Sequence, residues 1–249
     1  MRHQNPTADA TTLRDFGLTE ISTHEPYTAP LAHRHFAAYV AIVLHGEYTE
    51  TSVDGTLQVA RGDVVIHPAF HYHANVFAAA PVAVLNLPLP ISIGVGTQYT
   101  RLSLCELRLS EEDIVQRPRE SMNAILDELA QIESDPAPLC DDAIGYAWQR
   151  LREPQAPKIR RVAAEAGVST EHLARAFRDR YGLSPGDYRT EHRFRHAMQQ
   201  LFAGDKAVAV ACNSGYSDQS HMTRDFKQRT GATPTQISRQ LHTLSLSQN

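Results

Sequence analysis

Three cysteines in 249 residues, none of them in a CxxC spacing, leave no material for a disulfide framework or a cysteine-rich zinc finger. Cys105, Cys140 and Cys212 are expected instead as small buried apolar residues. No run approaches the roughly 18 apolar residues of a helical membrane span. The polar opening MRHQNPTADATT also lacks the apolar stretch of a secretory signal. The expectation is a cytoplasmic protein with no membrane partner. Aromatic residues are few at 7%, with a single tryptophan, yet 42% hydrophobic and 21% charged residues make an ordinary globular composition. The length favours two domains, each able to bury its own core.

Positive charge is what the first part of the chain is short of. Residues 1–155 hold 10 Lys and Arg against 20 Asp and Glu, a net of −10, whereas residues 156–249 hold 14 against 8, a net of +6. The overall −4 conceals a polarity in which only one half suits a phosphate-bearing partner.

The acidic part reads first as short strands. The stretches AYVAIVL, EYTETSV, TLQVA, DVVIHP and PVAVLNL are rich in Val, Tyr, Thr and Ile and are cut by turn residues, as in a barrel or jelly roll. Asp54-Gly55 is a two-residue hairpin signal. From Glu111 the period becomes helical. Met122, Ile125, Leu129 and Ile132 form one stripe, flanked by Asp127, Glu128 and Glu133, and it suits either pairing with a second copy or packing on the chain's own barrel. Ile144, Ala147, Trp148 and Leu151 form another stripe behind Asp141-Asp142, with Pro136 and Pro138 between the two helices. Pro154 and Pro157 in REPQAP mark a linker.

The basic part says nearly the same thing twice. GVSTEHLARAFRDRYGLSP and GYSDQSHMTRDFKQRTGATP align with Gly167 on Gly215, Phe177 on Phe226 and Pro185 on Pro234. Upstream, Ile159, Val162 and Ala163 match Ala207, Val210 and Ala211, so a structural unit is used twice. Its physics is that of a helix-turn-helix: an apolar stripe, a small Ala where helices cross, Gly for a left-handed turn, and Ser169 or Ser217 as the next helix's cap. Leu173 and Phe177, like Met222 and Phe226, turn the second helix's apolar side inward. Thr170, Glu171, Ala174, Arg175 and Arg178 stay outward in one copy, and Asp218, Gln219, Ser220, Thr223, Arg224 and Lys227 in the other. Several of these side chains suit base edges in a major groove, and Lys227, nearer the helix end, suits phosphate. Between the copies, a helix of about sixteen residues opening at Pro185 and closing before Gly204 would form a rod of roughly 24 Å.

These residues resemble the DNA-binding domain of the AraC-type transcription regulators, from Ile159 to about Arg239. The resemblance rests on RVAAEAGVS, on LARAFRDRYGLSPGDYR, on Arg193 with Ala197 and on the second copy, where Met222 stands in place of the usual aromatic and Ala207 in place of a larger aliphatic. It implies that the second helix of each unit is the recognition helix, with Glu171 and Arg175, and Ser220 and Arg224, at its reading positions. The first hundred residues resemble the cupin-type sensor of the same regulators. HRH at 33–35, Gly46, GDVVIHP at 62–68 and His73 fall in the order of the two cupin motifs. His33, His35 and His73 would then match three histidine ligands of a divalent transition metal, with Tyr39 where the cupin carboxylate stands. That set would lack a carboxylate and leave an open position for an anionic effector.

The expected fold class is α+β multidomain: a cupin-like β-barrel over 1–110, a helical connector used for dimerisation and a linker over 111–157, and an all-α pair of helix-turn-helix units over 158–249. The expected function is a sequence-specific regulator binding double-stranded DNA and a small-molecule effector or metal, as a homodimer, with RNA polymerase as a further partner. A metal-dependent cupin enzyme of dioxygenase or isomerase type fused to a DNA-binding domain is the alternative. A third reading makes the barrel a dimerisation module without a ligand.

Overall fold

A computed structural model of the chain describes residues 20–29, 32–35, 37–89, 99–131 and 142–247. Nine strands form two antiparallel sheets among the described residues: β1 (Glu20–His24), β2 (His33–Arg34), β3 (Tyr39–His45), β4 (Glu47–Ser52), β5 (Gly55–Ala60), β6 (Asp63–His67), β7 (Tyr72–Phe77), β8 (Val82–Pro88) and β9 (Thr100–Ser103). One sheet runs β1-β8-β3-β6-β9 and the other β2-β7-β4-β5. The five-stranded sheet is covered on both sides. Val40, Ile42, Val64, Ile66, Leu85 and Leu87 pack toward Ile114 and Ile125 of helices α1 (Glu111–Gln116) and α2 (Pro118–Gln131), while Ala41, Val43, Val65 and Val84 face Tyr48, Val59 and Phe77 of the smaller sheet. Its central strands β3, β6 and β8 therefore read as largely apolar runs, whereas β4, with one face outward, alternates and buries Tyr48, Glu50 and Ser52.

Several expectations change. The hairpin loop is Val53-Asp54, one residue earlier than the Asp54-Gly55 signal, because Ser52 pairs with Gly55 and Val53 is wholly buried in a core beyond the sandwich. The α2 stripe lies on the chain's own sheet: Ile125 is fully buried there, with Met122 and Leu129 packed alongside, so it is not free to pair with a second copy. Ile132, Glu133, Pro136, Pro138, Cys140 and Asp141 lie outside the described residues. Cys105 and Cys212 are exposed rather than buried.

The basic part is helical: α3 (Ala143–Arg152), α4 (Ile159–Glu165), α5 (Thr170–Tyr181), α6 (Pro185–Phe202), α7 (Ala207–Asn213), α8 (Gln219–Thr230) and α9 (Pro234–Ser247). Each repeat builds its own core. Val162, Ala163, Leu173 and Phe177 cluster in the first, and Val210, Ala211, Met222 and Phe226 in the second. Helix α3, assigned to the connector in the sequence, closes the first core through Ala147, Trp148 and Leu151. Helix α6 spans 18 residues, about 27 Å at the α-helical rise, and lends Tyr188 to the first core and Phe194, Ala197 and Leu201 to the second.

Candidate nucleic-acid interface and histidine cluster

The two second helices, α5 and α8, are built alike. Each has 12 residues, a side-chain cap at its start, and a left-handed glycine at its end, Gly182 at φ 69° and Gly231 at φ 74°. Ser169 caps α5 by accepting from the His172 amide, as expected. Asp218 caps α8 instead of Ser217, accepting from the His221 amide at 2.7 Å, while the Ser217 hydroxyl donates to the Asp218 carboxylate. Asp218 is thus spent on the helix start, where a carboxylate also meets the favourable end of the helix dipole.

Leu173, Phe177, Met222 and Phe226 are fully buried, which turns the opposite faces outward. Glu171, Arg175 and Arg178 on α5, and Gln219, Ser220, Arg224 and Lys227 on α8, are exposed, and Thr223 is half-buried with its hydroxyl donating to the Gln219 carbonyl. Two exposed polar helices on opposite ends of one rod make a tandem helix-turn-helix module, a class of duplex reader.

The sandwich grips both units of that module. At the hairpin tip, Val53 enters the first core; in the turn after β6, Phe70 enters the second, its ring centroid 6.1 Å from that of Phe194. Phe70 holds φ at 60°, a left-handed conformation that favours glycine, so tertiary packing overrides local preference there. The sandwich and the helical part also share two ion-pair clusters. Arg34 donates to both Glu191 oxygens at 3.0 and 3.1 Å, and Arg229 donates to Glu191 at 2.6 Å. Burial alone would raise the Glu191 carboxyl, but the guanidiniums of Arg34 and Arg229 outweigh it and bring it down to about 2. Arg195 donates to Asp54 at 3.0 Å, and the same Asp54 oxygen lies 3.1 Å from His71 Nε2. Against the upward pull of burial, Arg195 and His71 hold the Asp54 carboxyl well below the usual range.

The histidines gather where the two sheets face each other. Pairing sets His33 opposite His73, and Tyr39 opposite His67. His33, His35 and His73 come together as expected, each offering one ligand atom within 4.8 Å of the others. A second set shares His73 and lies deeper: Glu50, His67, His71 and His73, all buried, meet the same distance limit. The site therefore has a carboxylate after all. Glu50 supplies it from β4, not from the position of Tyr39, and it accepts from His67 Nε2 at 3.1 Å through each oxygen. Burial would raise the Glu50 carboxyl, yet His67 draws it below its ordinary value. Burial lowers His71 and His73, and burial with His33 lowers His35 to about 3, so these rings are neutral and keep a lone pair for ligation. Tyr39 is pushed well up by burial and stays a protonated phenol, 3.4 Å from His73 Nε2. Glu50 escaped the sequence reading because EYTETS is a polar strand whose inward face is fixed only by register.

Comparison with known proteins bears on the helical part. A helix-turn-helix domain family matches residues 162–240, across both units. The virulence regulon transcriptional activator VirF of Yersinia enterocolitica is 32% identical over 80 residues, 32% of this chain and 30% of VirF. The "Probable transcription factor PqrA" of Proteus vulgaris is 30% identical over 98 residues, 39% of this chain and 80% of PqrA. The chain thus spans about a third of VirF and most of PqrA. The crystal structure of ToxT from Vibrio cholerae superposes over 90% of this chain and 97% of ToxT, at 10% identity and a TM-score of 0.40. The chain belongs to the AraC-type family of transcription regulators. Among the described residues, no helix is long and apolar enough to cross a membrane.

Proposed function

We propose that the chain is a sequence-specific DNA-binding regulator whose sandwich half senses a small molecule or a metal at the histidine cluster. The observation that carries the reading is the repeat itself: two capped helices of equal length, with exposed polar faces, held on one rod of 18 residues. Arg175 and Arg224 sit mid-helix opposite the buried pairs and are assigned to base edges; Glu171, Arg178, Gln219, Ser220 and Thr223 flank them, and Lys227 is assigned to phosphate. Two readers on a rod of this length can enter major-groove segments about one helical turn, ~34 Å, apart on one face of the duplex. A homodimer would double that footprint, through a face other than the buried Ile125 stripe. RNA polymerase is proposed as a further partner on the likeness to the family alone.

The test is selection of fragments from random duplex DNA by the purified chain. Enrichment of a site with two conserved blocks about one turn apart supports the reading, and recovery of unenriched sequence overturns it. The alternative, a metal-dependent cupin enzyme joined to a DNA-binding module, gains one observation, since Glu50 provides the carboxylate that the motif itself lacks. Against it stands the enclosure of the inner set, with His67, His71 and His73 each 1% exposed, which leaves little room for a substrate to reach an ion. Turnover of any candidate substrate would favour the enzyme.

A further inference from the structure

We infer that Glu50, His67, His71 and His73 hold one divalent transition-metal ion, and that the His71–Asp54–Arg195 chain makes the grip of the sandwich on the helix-turn-helix units depend on that ion. The second clause rests on the regulator reading above; the first does not. Three imidazole nitrogens and one carboxylate oxygen suit zinc, nickel or cobalt better than magnesium or calcium, which prefer oxygen alone.

The hydrogen bonds select the inner set over the outer. His71 Nε2 faces the ionised Asp54 carboxylate, which only accepts, so Nε2 carries the proton and Nδ1 the lone pair. His67 Nε2 lies 3.1 Å from each Glu50 oxygen, the separation of two neighbouring ligands on one ion, so His67 ligates beside Glu50 through Nε2, with the ring's proton on Nδ1 when the ion is bound. The Nδ1 of His71 is buried without a hydrogen-bond partner, an unsatisfied state that costs stability unless something ligates it. The Nδ1 of His73 lies 3.3 Å from the His71 carbonyl and donates to it, which turns its Nε2 lone pair toward the cluster. A histidine whose far nitrogen donates to a carboxylate or a carbonyl is the usual state of a metal ligand. His33 and His35, by contrast, satisfy each other through their Nε2 atoms at 3.0 Å, and both are half-buried.

The same residues reach the DNA-binding part by the shortest covalent path. His71 follows Phe70, the plug in the second core, and Asp54 follows Val53, the plug in the first. Asp54 bonds both His71 and Arg195 of the rod α6. Any shift of the His71 ring on ligation is therefore passed to one residue beside each plug and to the rod between them. Coupling of this kind amounts to a ratio of DNA affinities between the loaded and the metal-free chain, commonly fivefold or more.

The experiment uses the full chain purified without a histidine tag, loaded separately with zinc, nickel and cobalt, desalted and assayed by elemental analysis and by cobalt visible absorption. The expected result is one ion per chain in the wild type, below a tenth of an ion in Glu50→Gln and His71→Ala, and near one in His33→Ala and His35→Ala. A wild type that stays metal-free with all three ions, or outer variants that lose the ion while the inner ones keep it, overturns the site. Circular dichroism checks that each variant is folded, and Glu50→Gln, which keeps the side chain's shape, keeps the test open should His71→Ala unfold. For the coupling, loading should change wild-type affinity for the selected duplex at least fivefold. Asp54→Asn should bind the ion, though more weakly, and respond less than twofold. Equal affinity of loaded and metal-free wild type, or an undiminished response in Asp54→Asn, overturns the coupling while leaving the site standing. A chain that binds no DNA in either state refutes the regulator reading instead, and the elemental analysis still decides the site.

Discussion

Glu191 ties the sandwich to the second reading unit, since its carboxylate is the shared acceptor for Arg34 from the sandwich and Arg229 from α8. Its side chain is 3% exposed, so removing its charge leaves two guanidiniums facing each other in a dry interface. Loss of one partner of a buried pair typically costs about 3–5 kcal/mol. Glu191→Gln should therefore lower unfolding stability at pH 7 by about 3 kcal/mol, read by denaturant titration. The pH dependence has a definite direction. The native carboxyl titrates near 2 and the ordinary one at 4.5, so its contribution is complete above about 4.5 and is lost as pH falls toward 2. The stability difference between wild type and Glu191→Gln should shrink over that interval, and a difference that stayed constant down to pH 2 would refute the assignment. None of this was legible in the sequence. Arg34 and Glu191 stand 157 positions apart, Asp54 and Arg195 stand 141 apart, and no local period or spacing links residues that meet only when the two halves dock.

At the scale of elements the sequence carried much further. The apolar offsets of each repeat, the rod between the copies and the run of sandwich strands all depend on local periodicity, and all appear in the structure. What periodicity cannot supply is the identity of the covering surface. The α2 stripe has a helix-pairing spacing, but its partner is the chain's own sheet. Ile125→Glu should accordingly cost at least about 3 kcal/mol by burying a charge, whereas Val115→Glu on α1, at a site 63% exposed, should cost under about 0.5 kcal/mol. Comparable small effects from both would contradict the packing. The turn glycines separate in the same way. Gly167 has φ 71° and open space around a would-be Cβ, so Gly167→Ala should cost about 1–2 kcal/mol in backbone strain alone. Gly215 has φ 75°, and a Cβ there would collide with the Pro154 carbonyl oxygen, so Gly215→Ala should cost clearly more. Thermal unfolding of the two variants side by side checks the order.

For the molecule as a whole, the charge polarity and the repeat lead to the same reading: an acidic sandwich that keeps hold of a basic tandem reader. The docking joins the histidine cluster to both helix-turn-helix cores through Val53, Phe70 and the Asp54–Arg195 pair, so the proposed sensing site and the proposed reading helices meet at one interface. The central claim, that α5 and α8 both read the duplex, is tested most directly by titrating the selected fragment and a scrambled one with wild type, Arg175→Ala, Arg224→Ala and Lys227→Ala at several salt concentrations. Each arginine variant should lose ~1–3 kcal/mol on the selected fragment and little on the scrambled one. Lys227→Ala should weaken both fragments alike and reduce the salt slope by about one unit. Arginine variants that bind both fragments as the wild type does would contradict the account.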